Sequence, residues 1–143
     1  MEERISLEHH LVAIARAYAI AMNEIENRIF ELAQADSRGL KDYFEEYRKL
    51  YQPVFLEYAT GKKRVYGGQA NSYGRPTRYD GINEETNGKT TLKSPNRAEV
   101  HFETANAFHA EYLFVLLKEA GVWKIDNVKY KWYHAPKWSP LTM

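Results

Sequence analysis

Glu99, His101 and Glu103 alternate along one short stretch and so project to the same side of a strand. Strand rise alone puts neighbours in such a series roughly 6.5–7 Å apart. An imidazole set between two carboxylates suits acid–base work or weak metal binding. The same alternation describes the solvent face of an amphipathic strand, which is the simpler reading because no further ligand stands nearby in sequence. His9-His10 lacks the spacing and third ligand of a zinc motif. Asp126 falls where a strand changes phase; bulges re-aim side chains near active sites, but an Asp-Asn pair at a kink also serves as a turn device. There is no GxSxG, no glycine-rich phosphate loop and no nucleophile with an evident base, and Gly61-Lys62-Lys63-Arg64 lacks P-loop spacing. No catalytic set, metal or cofactor is therefore expected.

The elements that would position these residues are legible as periodicities. In 98–133, Val100 and Phe102 alternate with polar neighbours, giving a half-buried strand. Tyr112, Phe114 and Leu116 share one face of the next arm, and Leu113, Val115 and Leu117 the other, as in a central strand covered on both sides. In the third arm Trp123 and Ile125 set one phase and Val128, Tyr130 and Trp132 the opposite one, which predicts a β-bulge near Asp126-Asn127. The stretch reads as a bent antiparallel meander. Upstream, Leu7, Leu11, Ile14, Tyr18, Met22, Ile25, Ile29 and Leu32 recur at helical spacing, with Ser6 as N-cap and Gly39 at the end. A second helix from Leu40 carries Tyr43, Phe44, Tyr47, Tyr51, Phe55 and Tyr58 on an aromatic face, with a kink or a fresh start at Pro53. Between them and the meander, residues 61–97 hold six of the eight glycines and read mostly as loop, with short strand content in Lys63–Tyr66 or Thr90–Lys93. Residues 134–143 form a proline-broken tail along the sheet edge. One α+β domain over 1–143 is expected: helices in 1–60, a loop-rich crossover in 61–97, then the sheet.

Composition narrows the function classes. With 44% hydrophobic and 14% aromatic residues the chain has ample material for a core. Twenty basic against nineteen acidic side chains leave a charge of +1, without the basic excess of a dedicated nucleic-acid binder. Cysteine is absent, which excludes a disulfide scaffold and a thiolate zinc site. No apolar run approaches the about twenty residues of a membrane-spanning helix, and the charged start does not read as a signal peptide, so a cytoplasmic protein with no membrane partner is expected. Trp123, Tyr130, Trp132, Tyr133 and Trp138 interleave with Lys124, Lys129, Lys131 and Lys137. Such strands can stack single-stranded nucleic acid, but with balanced charge they fit protein recognition better.

The order of helices, loop and meander resembles the NTF2-like cone fold, and GVWKIDNVKYKW resembles its last strand. KKRVYGGQANSYGRPTRYDGI followed by NRAEVHFETANAFHAEYLFVLLKEAGVWKID resembles the NTF2-fold immunity proteins of bacterial polymorphic toxin systems, over about Tyr43 to Trp138. The resemblance implies a small cytoplasmic protein that binds one cognate toxin domain and blocks it, with no catalytic residues. The toxin contacts are expected from the glycine-rich loop, at Tyr66, Tyr73, Arg75, Arg78 and Tyr79, and from the outer or edge surface near Trp132 and Trp138. The rival is an isomerase, dehydratase or ligand binder using the cone interior, with His101, Glu103 and Asp126 as acid–base groups. Pairing of two copies through the outer sheet face is a further possibility.

Overall fold

The computed structural model describes residues 2–36, 43–62, 76–132, 134–141 and 143. Helix α1 runs Glu2–Ala35 and helix α2 Phe44–Tyr58; strands β1 Gly88–Ser94, β2 Arg97–Glu103, β3 Glu111–Glu119, β4 Val122–Lys131 and β5 Ser139–Leu141 follow. The strands form one antiparallel sheet in sequential order β1-β2-β3-β4-β5. Both helices pack on one side of it, an α+β arrangement, and the sheet does not close on itself.

Alternation sets which residues face the helices. Rows of paired residues cross the sheet: Phe102, Tyr112 and Tyr130; Val100, Phe114 and Val128; Ala98, Leu116 and Ile125. Most of these are fully buried against Leu11, Ala15, Tyr18, Ala19 and Met22 of α1 and Tyr47, Tyr51 and Phe55 of α2. The register shifts between Val115 and Leu116, opposite Asn127 and Ile125, so Asp126 is the extra residue of the expected bulge. β3 is the central strand: Leu116 is buried on the inner face and Val115, outside the main core, is buried on the outer face.

The sheet is larger than the three strands expected. β1 includes Thr90–Lys93, one of the two places where short strand content was expected; it is an edge strand whose inward positions, Gly88, Thr90 and Leu92, are only partly buried. Its start lies so close under α1 that a Cβ on Gly88 would stand 2.8 Å from both Val12 Cγ1 and Phe102 Cε1, closer than packed carbon atoms approach. β5 places the tail on the other edge, beside β4, where the chain leaving α2 also bridges Ala59 to Ile125.

The helices differ from expectation in their limits. α1 begins at Glu2, so Ser6 lies inside it rather than capping it; the residues before Ser6 include no proline or glycine that would stop a helix. The apolar stripe also outruns the sheet, leaving Leu32 exposed. Leu40 and Gly39 lie outside the described residues. α2 continues through Pro53 as one helix, the lost backbone bond being outweighed by burial of Tyr47, Tyr51 and Phe55 around it. Among the described residues no helix is long and apolar enough to cross a membrane.

The β3–β4 connection is a two-residue hairpin, Ala120-Gly121, with φ of +50° and +81°. A turn with positive φ at both central positions matches sheet twist, but an alanine there is strained by roughly 1–2 kcal/mol. Ala120→Asn is therefore expected to stabilise the protein by about 0.5–1 kcal/mol, read as a rise in Tm of about 2–4 °C; an unchanged or lower Tm would contradict the turn geometry.

Candidate functional site

The segment Arg78-Tyr79-Asp80 has no regular structure of its own and is held by side chains from four other places. Asn23 of α1 pairs with the Tyr79 backbone in both directions, its Nδ2 donating to the carbonyl at 2.8 Å and its Oδ1 accepting from the N–H at 3.1 Å. Glu26, one turn further on, accepts from the Arg78 backbone N–H at 2.7 Å and from the guanidinium Nη1 at 2.6 Å. The same Nη1 donates to the Tyr47 hydroxyl of α2 at 3.1 Å. Asn106, between β2 and β3, and Tyr112 of β3 both donate to the Asp80 carbonyl, at 2.9 and 2.8 Å.

Between these anchors the Tyr79 ring enters the interior. It is fully buried and meets Tyr18, Phe114 and Tyr112 at centroid distances of 5.8, 5.6 and 6.0 Å. Arg78 and Tyr79, expected on an exposed loop, are thus internal: the Glu26 and Arg78 side chains are only 3% and 9% exposed. An irregular segment shows no periodicity that reports burial, which is why residue type alone suggested surface anchors. Burial raises the Glu26 carboxyl, with Arg78 opposing, and lifts the Tyr47 hydroxyl to about 12. For Arg78, burial disfavours the charge, but Tyr47 and Glu26 outweigh it and the guanidinium stays charged. Burial raises Tyr79 and Tyr112 well above the usual tyrosine range. Sequence reasoning missed Glu26, although the signal was present: it falls in the buried phase of α1 between Met22 and Ile29.

The three acid–base candidates do not meet in the interior. His101 and Glu103 alternate with the inward Val100 and Phe102 and so lie on the outer face, away from the helices. There His101 Nε2 stands 2.8 Å from Glu111 Oε1, and the Trp138 ring packs edge-on to the imidazole at 5.8 Å. Glu111 was not foreseen because its approach depends on the β2–β3 register, Glu103 opposite Glu111. Asp126 belongs to β4, beyond β3 from His101; its carboxylate accepts from Thr60 Oγ1 at 2.9 Å and Lys62 Nζ at 2.8 Å, tying the exit of α2 to the bulge.

The expected surface anchors also divide. Trp138 is engaged: its ring packs edge-on to His101, and Lys131 Nζ lies 4.7 Å from its ring centre. Trp132 is 53% exposed and stacks on Phe108, itself 44% exposed, at 4.9 Å and 17°. Phe108 went unpredicted: a single aromatic in a turn carries no pattern. The pair borders a cavity of about 210 Å³ whose polar wall includes Arg78, Asp80 and Asn106. Tyr66, Tyr73 and Arg75 lie outside the described residues.

A family model described as Imm-NTF2, NTF2 fold immunity protein, matches residues 11–140. The chain belongs to the NTF2 fold immunity protein family. Comparison with characterised proteins and with solved structures finds no match. The match runs from the buried face of α1 to β5, so the Glu26–Arg78 pair and the Phe108–Trp132 stack both fall inside the immunity-protein region.

Two outcomes follow from the interior network. Glu26→Ala leaves the Arg78 charge buried without its carboxylate and is expected to cost about 3–5 kcal/mol in urea unfolding; a loss below about 1 kcal/mol would place the pair in water. In alkali, folding holds Tyr47, Tyr79 and Tyr112 neutral above the unfolded tyrosine value of about 10. The Tyr47 contribution is complete below about pH 10 and is lost as pH rises through about 12, and those of Tyr79 and Tyr112 are likewise complete below about pH 10 and lost at higher pH. Tyrosinate absorbance at 295 nm should therefore rise in two steps, exposed groups first and the buried ones only together with loss of the folded circular-dichroism signal.

Proposed function

We propose that the chain is the immunity component of a bacterial polymorphic toxin system, and that in the cytoplasm it binds one cognate toxin domain and neutralises it by steric cover. The observation that carries this reading is the Phe108–Trp132 stack: two large aromatic rings held rigidly against each other and left half in water. Aromatic anchors beside a small pocket are the usual energetic centre of a tight protein interface, and a standard interface of about 1,600 Å² centred there would reach the neighbouring surface on all sides. The cavity beside the stack offers Asp80 and Asn106 as polar rim partners. Tyr66, Tyr73 and Arg75 remain proposed contacts on the strength of residue type.

A binding role also agrees with the interior. The space where a cone-fold enzyme would hold a small molecule takes up the Tyr79 ring, and His101 and Glu103 face the other way. Pairing of two copies through the outer face is the weaker reading, because Trp138 and a set of charged side chains occupy it.

Co-expression with the toxin encoded beside this gene tests the proposal. The wild-type chain should protect cells and form a complex that survives gel filtration. Trp132→Ala, or Phe108→Ala, should weaken the complex by at least about 30-fold, the effect of a hot spot of about 2 kcal/mol, with Tm little changed. Cell death despite folded protein, with no complex on the column, would overturn the immunity reading; unchanged affinity in both variants would move the interface away from this stack.

A further inference from the structure

His101, Glu103 and Glu111 come from two adjacent strands, and the register fixes their meeting: Glu103 is directly opposite Glu111, and His101 lies one outward position along β2. One ligating atom from each lies within 4.8 Å of the other two. His101 Nε2 and Glu111 Oε1 are already 2.8 Å apart, with the ring N–H donating to the carboxylate. Around a tetrahedral ion with ligand distances of about 2.0–2.2 Å, neighbouring ligand atoms stand about 3.4 Å apart. Small side-chain rotations therefore convert the proton-bridged pair into a metal-bridged one, with no backbone change.

Further features bear on a cation there. The Glu103 carboxylate has no hydrogen bond or ion pair among the described residues, and it lies opposite Glu111, whose own partner is His101. Of the nearby lysines, Lys93 pairs with Glu99 at 3.5 Å and Lys131 lies on the Trp138 ring, while Lys89 stands opposite His101 across the β1–β2 pair and lines the same cleft. The Trp138 ring packs edge-on against the imidazole and limits the room in which it can turn. Finally, His101 and Glu103 form one wall of an open cleft of about 570 Å³ between β2 and residues 81–89, with room for water in the remaining coordination positions.

We propose that His101, Glu103 and Glu111 bind one divalent cation of the zinc class on the outer face of the sheet. One imidazole nitrogen with two carboxylate oxygens is a borderline set that suits zinc better than magnesium, which favours an all-oxygen octahedron. The site is independent of the immunity reading, since none of its three residues belongs to the Phe108–Trp132 stack.

The test is calorimetric titration of the full, untagged chain with zinc chloride, with magnesium chloride as control. Expected are saturable binding of one equivalent of zinc, no comparable binding of magnesium, and a zinc-dependent rise in Tm. His101→Ala, Glu103→Gln and Glu111→Gln should each weaken zinc binding by at least about tenfold and abolish the Tm rise, while their metal-free circular-dichroism spectra stay those of the wild type. The His9→Ala/His10→Ala variant should bind zinc normally. Absence of saturable binding up to millimolar zinc, binding unchanged by His101→Ala, or binding lost on removing His9 and His10 would each overturn the proposal.

Discussion

The contact on which the rest of this fold depends is the buried pair between Glu26 of α1 and Arg78. A carboxylate and a guanidinium are costly to take out of water, and only close geometry with further hydrogen bonds offsets that cost. Here the carboxylate meets both the Arg78 backbone and its side chain, and Tyr47 of α2 takes part as well. One irregular stretch thereby joins both helices, and through Asp80 it reaches the sheet at Tyr112 and the β2–β3 loop at Asn106. The polar pair adds direction to the apolar packing and acts together with the Arg16–Thr86 and Thr90–Glu8 bonds to hold α1 in one register.

That constraint separates the two sides of the molecule. Inside, the Tyr79 ring is fully buried and packs against Tyr18 of α1 and Phe114 of β3. Outside, the polar residues that alternate with the core face solvent, and at one end the strand ends bring Phe108 and Trp132 together. A protein of the immunity family needs a rigid surface more than a pocket, and rigidity at that end follows from what is packed behind it: Asn106, two residues before Phe108, is tied to Asp80.

Much of the scaffold was legible because alternation and helical spacing report burial directly. The change of phase between Ile125 and Val128 located the bulge, and two-sided apolar character marked β3 as central. What could not be read had no periodic signature. β1 has only one large apolar side chain, Leu92, on its covered face, so no more than a short strand around Thr90–Lys93 was legible there; β5 is three residues long with a proline, and the burial of Arg78 and Tyr79 is decided by partners 31 to 61 residues away. The outer-face cluster was half visible: spacing gave His101 and Glu103, while Glu111 required knowing which residue stands opposite which. Phe108 shows the remaining limit, since a lone ring in a turn acquires meaning only from the ring beside it.

The sequential order of the five strands has a kinetic side. Every strand pairs with its neighbours in the chain, through connections as short as the two residues between β3 and β4, so the sheet can zip up with small loop-closure cost. The helices come from the opposite end of the chain, and their contacts span long separations: 70 residues from Arg16 to Thr86, and 125 from the Tyr18 hydroxyl to the Met143 carbonyl. Low contact order in one half and high contact order in the other describe a chain whose sheet forms early and whose α1 docks late. Until it docks, the inner face of that sheet is an apolar surface open to water, and the rate of α1 docking sets how long it stays so.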